Sequence, residues 1–172
     1  IIEGGMKIRE VLREALACEI DGRALVRDLG IAERKLIQIA SALIDGRARL
    51  LVLDEPTAPL AAAETERLFT AIRTLNARGV TVLYVSHYLS EIVEICDRVS
   101  VMYAGEVAET GTLANLVRDP RHPYAQGLLS STVLGARRGE RLTTIPGAPP
   151  SLSQPPQACS FEPRCRFAVA SC

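Results

Sequence analysis

Leu50-Leu51-Val52-Leu53-Asp54-Glu55-Pro56-Thr57 sets four aliphatic residues directly before two carboxylates and a proline. A run without polar alternation predicts a strand buried on both faces, as in a parallel sheet flanked by helices. The carboxyl ends of such strands are where open α/β sheets place their chemistry. Adjacent acids at that point suit nucleotide hydrolysis, with Asp54 holding Mg²⁺ directly or through water and Glu55 polarising the attacking water. On these eight residues alone, two acids that merely end a strand in solvent explain the pattern equally well. Pro56 stops the strand in either case.

The next strand shifts that balance. Gly79 is placed to close a helix, Val80-Thr81-Val82-Leu83-Tyr84-Val85 reads as a second buried strand, and Ser86-His87 stands at its carboxyl end. Parallel neighbours bring those ends side by side, so Asp54, Glu55 and His87 are expected to converge. A single histidine is more often structural than catalytic. One at the tip of the adjoining strand is a different case.

Three segments in order carry a family resemblance: Leu29-Gly30-Ile31-Ala32-Glu33 and the helix after it, Leu50 to Thr57, and Val85-Ser86-His87 through Val107. Their order and spacing resemble the signature, the Walker B strand and the switch histidine of the ATP-binding subunits of ABC transporters, over most of residues 29–130. The resemblance implies an α/β fold, a parallel-sheet P-loop NTPase core, binding ATP and Mg²⁺. In the roles it implies, Asp54 helps hold Mg²⁺, Glu55 orients or deprotonates water, and His87 contacts the γ-phosphate. Leu29, Gly30, Ile31, Ala32 and Glu33 would complete the site of an opposite subunit. It also implies a homo- or heterodimer of ATPase subunits beneath transmembrane permease subunits, fed indirectly by a solute-binding protein, peripheral on the cytoplasmic face of the membrane.

Two departures weaken that pattern. Where the family usually has Leu-Ser-Gly-Gly-Gln, this chain has Leu29-Gly30-Ile31-Ala32-Glu33, closer to sugar importers but with glycine in place of serine. A hydroxyl bonded to a charged acceptor contributes about 1.5–3 kcal/mol, so a weakened signature is expected. After Walker B the family commonly has an acid-ended loop that reaches across the dimer; Ala58-Pro59-Leu60-Ala61 carries no acid. No G-x-x-x-x-G-K-[ST] loop occurs in the 172 residues. Such a loop cradles the β- and γ-phosphates. The chain is therefore expected to bind nucleotide very weakly by itself, as an incomplete core with an uncovered sheet edge, corresponding to the carboxyl-terminal two-thirds of such a subunit.

Composition agrees with that class. The chain is 48% hydrophobic but 4% aromatic, so its core must come from Leu, Ile, Val and Ala. Twenty basic and twenty acidic residues cancel, leaving no field to attract nucleic acid. No apolar run approaches the ~20 residues that span a bilayer, and no secretory pattern opens the chain. Five cysteines do not resemble a secreted disulfide framework, so a reducing compartment is expected.

The remaining elements are read from periodicity. Residues 1–28 read as the remnant of a helical subdomain, with an amphipathic helix over Lys7–Ile20 broken by Asp21-Gly22. Glu33–Ile44 is predicted helical, its start either an anion site or an ordinary helix start. Ala62–Arg78 and Leu89–Ile95 are also predicted helices, Arg98–Tyr103 a strand, Ala104-Gly105 a tight turn and Leu113–Val117 a short helix. Residues 29–112 form the expected ATPase core and 113–172 a carboxyl-terminal extension. His122-Pro123-Tyr124 ahead of an apolar helix could be a plain loop and helix, but it resembles the dipeptide and oligopeptide importers within the family. Substrate class is accordingly read as peptide.

Residues 137–157 are rich in proline, with Pro146, Pro149, Pro150, Pro155 and Pro156, and read as an extended connector. Cys159, Cys165 and Cys172 then stand in a Cys-x₅-Cys-x₆-Cys pattern. Clustered thiols of this kind can be incidental, pair adventitiously or bind metal. The pattern resembles the peptide-importer tail, some members of which hold a [4Fe–4S] cluster, although such a cluster usually takes four ligands. Alternative readings are a non-hydrolysing regulatory or structural ABC half, a sugar-importer subunit, and an iron–sulfur module with a vestigial ATPase part.

Overall fold

The structure is a computed structural model and describes residues 2–16, 18–132, 142–150, 158–169 and 172. The expected connector at 137–157 is described only over 142–150; its other residues lie outside the described set. The chain divides into two compact units, residues 1–87 and 88–172.

The first unit runs α1 (Ile2–Ala15), a 3₁₀ turn (Val26–Asp28), α2 (Ile31–Leu43), β1 (Leu50–Asp54), α3 (Ala62–Ala77) and β2 (Thr81–Val85). Helix α2 buries Ala32, Leu36, Ile39, Ala40 and Leu43, a single stripe at helical spacing. Helix α3 buries Leu68, Phe69, Ala71, Ile72 and Leu75. With Leu12 and Leu16 these residues form the core against Leu51 and Leu53 of β1. Phe69 meets Tyr84 of β2 edge-on, ring centroids 6.2 Å apart.

Helix α1 ends at Ala15, five residues before the predicted Ile20. Asp21 organises a turn of its own, its side chain accepting from Arg23 N at 3.0 Å and its carbonyl from Ala24 N at 3.0 Å. This local turn competes with further helix. Helix α3 closes as its glycine predicts: Gly79 has φ +83, Gly79 N bonds Asn76 O and Val80 N bonds Leu75 O. That pair of bonds is a Schellman stop, which needs a left-handed residue at Gly79.

Strands β1 and β2 pair in parallel, from Leu50 opposite Thr81 to Asp54 opposite Val85. The sheet differs from expectation in its burial. Leu51 and Leu53 are buried, but Leu50 and Val52 are 57% and 56% exposed, and Leu83 and Val85 share that open side. Adjacent side chains alternate between faces, and helix packing covers only one of them among the described residues. Each described sheet has two strands, so the predicted open edge is present.

The second unit contains α4 (Leu89–Ile95), β3 (Arg98–Tyr103), β4 (Glu106–Thr112), α5 (Leu113–Arg118), α6 (Pro123–Ser130) and a 3₁₀ turn at Glu162–Arg164. Strands β3 and β4 form an antiparallel hairpin, with a register shift between Val101 and Met102. Ala104 (φ +51) and Gly105 (φ +84) make its turn, both left-handed as a two-residue turn of this twist requires. Thr112 caps α5 by accepting Asn115 N.

Candidate functional site

The carboxyl ends of β1 and β2 meet as the sequence predicts. Glu55 N donates to Val85 O at 2.9 Å, one step past the last paired strand residues. Glu55 has φ +39, an uncommon left-handed value for a non-glycine residue that costs roughly 1–2 kcal/mol. Its carboxylate Oε1 lies 2.9 Å from His87 Nδ1. The acid and the imidazole therefore converge from two neighbouring strands, both about half exposed. Asp54 sits one residue earlier with its side chain exposed.

The tautomer of His87 is set by this contact. With Nδ1–H donating to Glu55, a neutral ring leaves Nε2 as an acceptor. Nε2 donates to an anion only when the ring carries both protons. The pair is thus an orienting contact for Glu55 and a conditional donor toward a phosphate oxygen.

Leu29 to Glu33 stand at the start of α2, where Gly30 is the N-cap residue. Gly30 has no side chain to offer, so only half of a capping box forms: the Glu33 carboxylate accepts Gly30 N at 2.8 Å. A negative group from the same helix already takes an amide at the end predicted to receive an anion. Periodicity locates the helix but gives no sign of this occupation.

Other features lie beyond sequence reading. Glu109 of β4 accepts Arg121 N through both oxygens, at 3.0 and 3.1 Å, and His122 N at 2.8 Å. His122 accepts Tyr124 N and caps α6, with Pro123 in its first turn. Tyr103, Tyr124 and Phe161 cluster in tilted and edge-on contacts at 4.6–5.4 Å between centroids. Burial raises the Tyr124 phenol above its usual range, followed by Tyr103, while Arg164 opposes the rise. Arg164 donates to Pro146 O (2.8 Å), Ile145 O (3.2 Å) and Tyr103 Oη (3.3 Å). Ser160 Oγ donates to Glu106 at 2.8 Å. The His-Pro-Tyr stretch is therefore an anchored helix start received by Glu109, while Glu106 receives the tail through Ser160. An acid in a strand gives no local signal of an amide 12 or 13 residues away.

Cys159, Cys165 and Cys172 are expected from the sequence to offer thiolates to a metal. Among the described residues no group of three or more His, Cys, Asp or Glu side chains could hold a metal ion. The three thiols therefore do not fit an iron–sulfur cluster as arranged. Two of them are engaged in local turns: Cys165 Sγ accepts Phe167 N and Cys172 Sγ accepts Val169 N. Asp54 fits a Mg²⁺ ligand in kind, being an exposed hard-oxygen donor. No helix among the described residues is long and apolar enough to cross a membrane.

Residues 108–172 match the family model described as "Oligopeptide/dipeptide transporter, C-terminal region". Over 146 residues the chain is 43% identical to a Brucella ovis protein named for peptide import ATP binding, covering 81% of this chain and 43% of that protein. It is 38% identical over 140 residues to the oligopeptide transport ATP-binding protein OppD of Haemophilus influenzae, with the same coverage. The chain thus spans under half the length of these relatives. Among solved structures, the ADP conformation of MJ1267, an ATP-binding cassette of an ABC transporter, matches with TM-score 0.60 and 26% identity, over 72% of this chain and 50% of that one. The parallel β1–β2 pair with its convergent strand ends, the matched tail and these relatives together make the chain similar to the ATP-binding subunits of ABC transporters, among them oligopeptide and dipeptide importers.

Proposed function

We propose that these residues serve an ATP-hydrolysing subunit that energises peptide import, working in a dimer of ATPase subunits under transmembrane permease subunits at the cytoplasmic face of the membrane. The carrying observation is the 2.9 Å contact between Glu55 and His87 at adjoining parallel strand ends. In this reading Glu55 orients and deprotonates the attacking water, and His87 holds Glu55 and donates from Nε2 to the γ-phosphate when doubly protonated. Asp54 holds Mg²⁺, which when bound neutralises charge on the phosphates. Leu29 to Glu33 face the nucleotide of the opposite subunit, residues 29–112 act as the ATPase core, and 113–172 as the importer-type extension. A phosphate-binding loop must come from outside these 172 residues, since none lies within them.

The test is ATP turnover by Glu55→Gln in the protein that carries the phosphate loop. Loss of a general base costs about 10²–10⁴-fold, and turnover equal to the unsubstituted protein removes Glu55 from the mechanism. A second reading, a half that binds but does not hydrolyse, is favoured by the Glu33 carboxylate on Gly30 N and by the acid-free Ala58–Ala61 loop. It predicts negligible turnover before any substitution. An iron–sulfur role for the tail is the finer reading of Cys159, Cys165 and Cys172. Stoichiometric iron and labile sulfide after anaerobic reconstitution would support it, and the lack of a three-ligand group among the described residues speaks against it.

A further inference from the structure

The three tail thiols fail as a ligand set, yet the backbone brings two of them together. Cys159 N donates to Cys172 O at 3.2 Å. A single N–H···O=C bond of that length keeps the two Cα atoms within several ångströms of each other, the range over which a disulfide (Cα atoms ~4.4–6.8 Å apart) can form. Both residues are exposed, whereas Cys165 between them is partly buried. All five cysteines are thiols.

We propose that Cys159 and Cys172 are a reversible dithiol–disulfide pair, oxidised by a small-molecule disulfide of the glutathione type. A thiolate of one cysteine attacks a sulfur of the oxidised reagent, forming a mixed disulfide and releasing one equivalent of reduced thiol. The second thiolate then attacks the protein sulfur of that mixed disulfide and expels the second equivalent. Two protein thiols are oxidised, one reagent disulfide is reduced to two thiols, and the two protons pass to those products. In a reducing compartment such a bond is transient and reports redox state.

The ring it closes contains the residues that dock the tail on the hairpin. Ser160 bonds Glu106, Phe161 packs edge-on against Tyr103 at 5.1 Å, and Arg164 reaches Tyr103 Oη. Oxidation would fasten the two ends of this docked loop to each other. Among the described residues the reduced tail is held by those contacts, by Arg164 on the Pro146 and Ile145 carbonyls, by Arg166 on Gln126 and by the Cys159–Cys172 backbone bond.

The sequence makes the test sharp. Cleavage after Arg164 and Arg166 leaves Cys159, Cys165 and Cys172 on separate tryptic peptides, 142–164, 165–166 and 167–172. The full 172-residue chain is equilibrated with mixtures of oxidised and reduced glutathione, blocked with an alkylating reagent, digested and analysed by mass spectrometry. The expected product is 142–164 joined to 167–172, lost again as reduced glutathione is raised. Cys165→Ser should keep that product, while Cys172→Ser should stop at glutathione attached to Cys159. A bridge through the 165–166 dipeptide, or no bridge at any glutathione ratio, overturns the proposal. So does anaerobic treatment with ferrous iron and sulfide that protects all three thiols from alkylation with stoichiometric iron bound.

Discussion

Gly127 lies in α6 where a Cβ would sit 2.7 Å from Ile145 Cγ1 and 2.9 Å from Cδ1. Carbon atoms attract best at about 3.5–4.0 Å, so Gly127→Ala forces Ile145 outward by roughly 1 Å. The main chain at Ile145 is held, because its carbonyl and that of Pro146 accept from Arg164 at 3.2 and 2.8 Å and Thr143 N bonds Ser130 O at 3.3 Å. A shift of that size takes the 3.2 Å bond past the ~3.5 Å limit of a useful contact. Overpacking costs about 1–3 kcal/mol and a bond to a charged group contributes about 1.5–3 kcal/mol. Against this stands a gain of ~1 kcal/mol for alanine over glycine inside a helix.

The sign of the net effect therefore separates a clamped segment from a loosely laid one. With the segment clamped, denaturant unfolding of the chain should show Gly127→Ala destabilised by about 1.5 kcal/mol or more, read as a lower midpoint at unchanged slope. In an Ile145→Ala background the obstruction is gone, and the same change should become neutral or stabilising, a coupling that contact residues show. A stabilised Gly127→Ala single variant would refute the clamp, since it would mean that Ile145 moves aside without loss.

The same unit and the thiols give two further outcomes. Glu109→Ala strips the acceptor from Arg121 N and His122 N and should lower stability by about 1.5–3 kcal/mol, with Glu109→Gln recovering part of it; unchanged unfolding in both would deny Glu109 its anchoring role. Burial, then Asp97, raises the Cys96 thiol, and burial, then Glu33, raises that of Cys18 against Arg67. A raised thiol keeps its proton as the pH climbs, so under reducing conditions Cys18 and Cys96 should alkylate after the exposed Cys159 and Cys172, with the gap closing in strong alkali. Labelling of Cys96 ahead of Cys159 at neutral pH would contradict this.

Sequence signals in this chain have a short reach. Gly79 announces its helix stop because the left-handed turn is a property of one residue, and the stripe Leu36, Ile39, Ala40 and Leu43 announces α2 because a helical face repeats within one element. The Glu55–His87 meeting spans 32 residues, yet it is legible because a parallel crossover fixes which strand ends become neighbours. No such rule links Arg164 to Tyr103 across 61 residues or Ser160 to Glu106 across 54. Those contacts depend on how an irregular tail folds back, which periodicity does not encode. The expectation for β1 fails on one face for a related reason. Leu50-Leu51-Val52-Leu53 states what the strand can bury, whereas actual burial depends on which elements lie against it.

The Glu55 backbone shows which part of the site holds the other. A contact as exposed as Glu55–His87 contributes about 0–1 kcal/mol even with the ring charged, less than the roughly 1–2 kcal/mol that a left-handed glutamate costs. The imidazole therefore cannot be what keeps Glu55 in that conformation. Its neighbours can: Pro56 is fully buried, Thr57 is 5% exposed, and Glu55 N is fixed on Val85 O. The chain is pinned on both sides of Glu55, so its backbone turn stands without His87, whose contact then orients the carboxylate. Removing the imidazole should leave Glu55 φ positive while releasing its carboxylate from the end of β2.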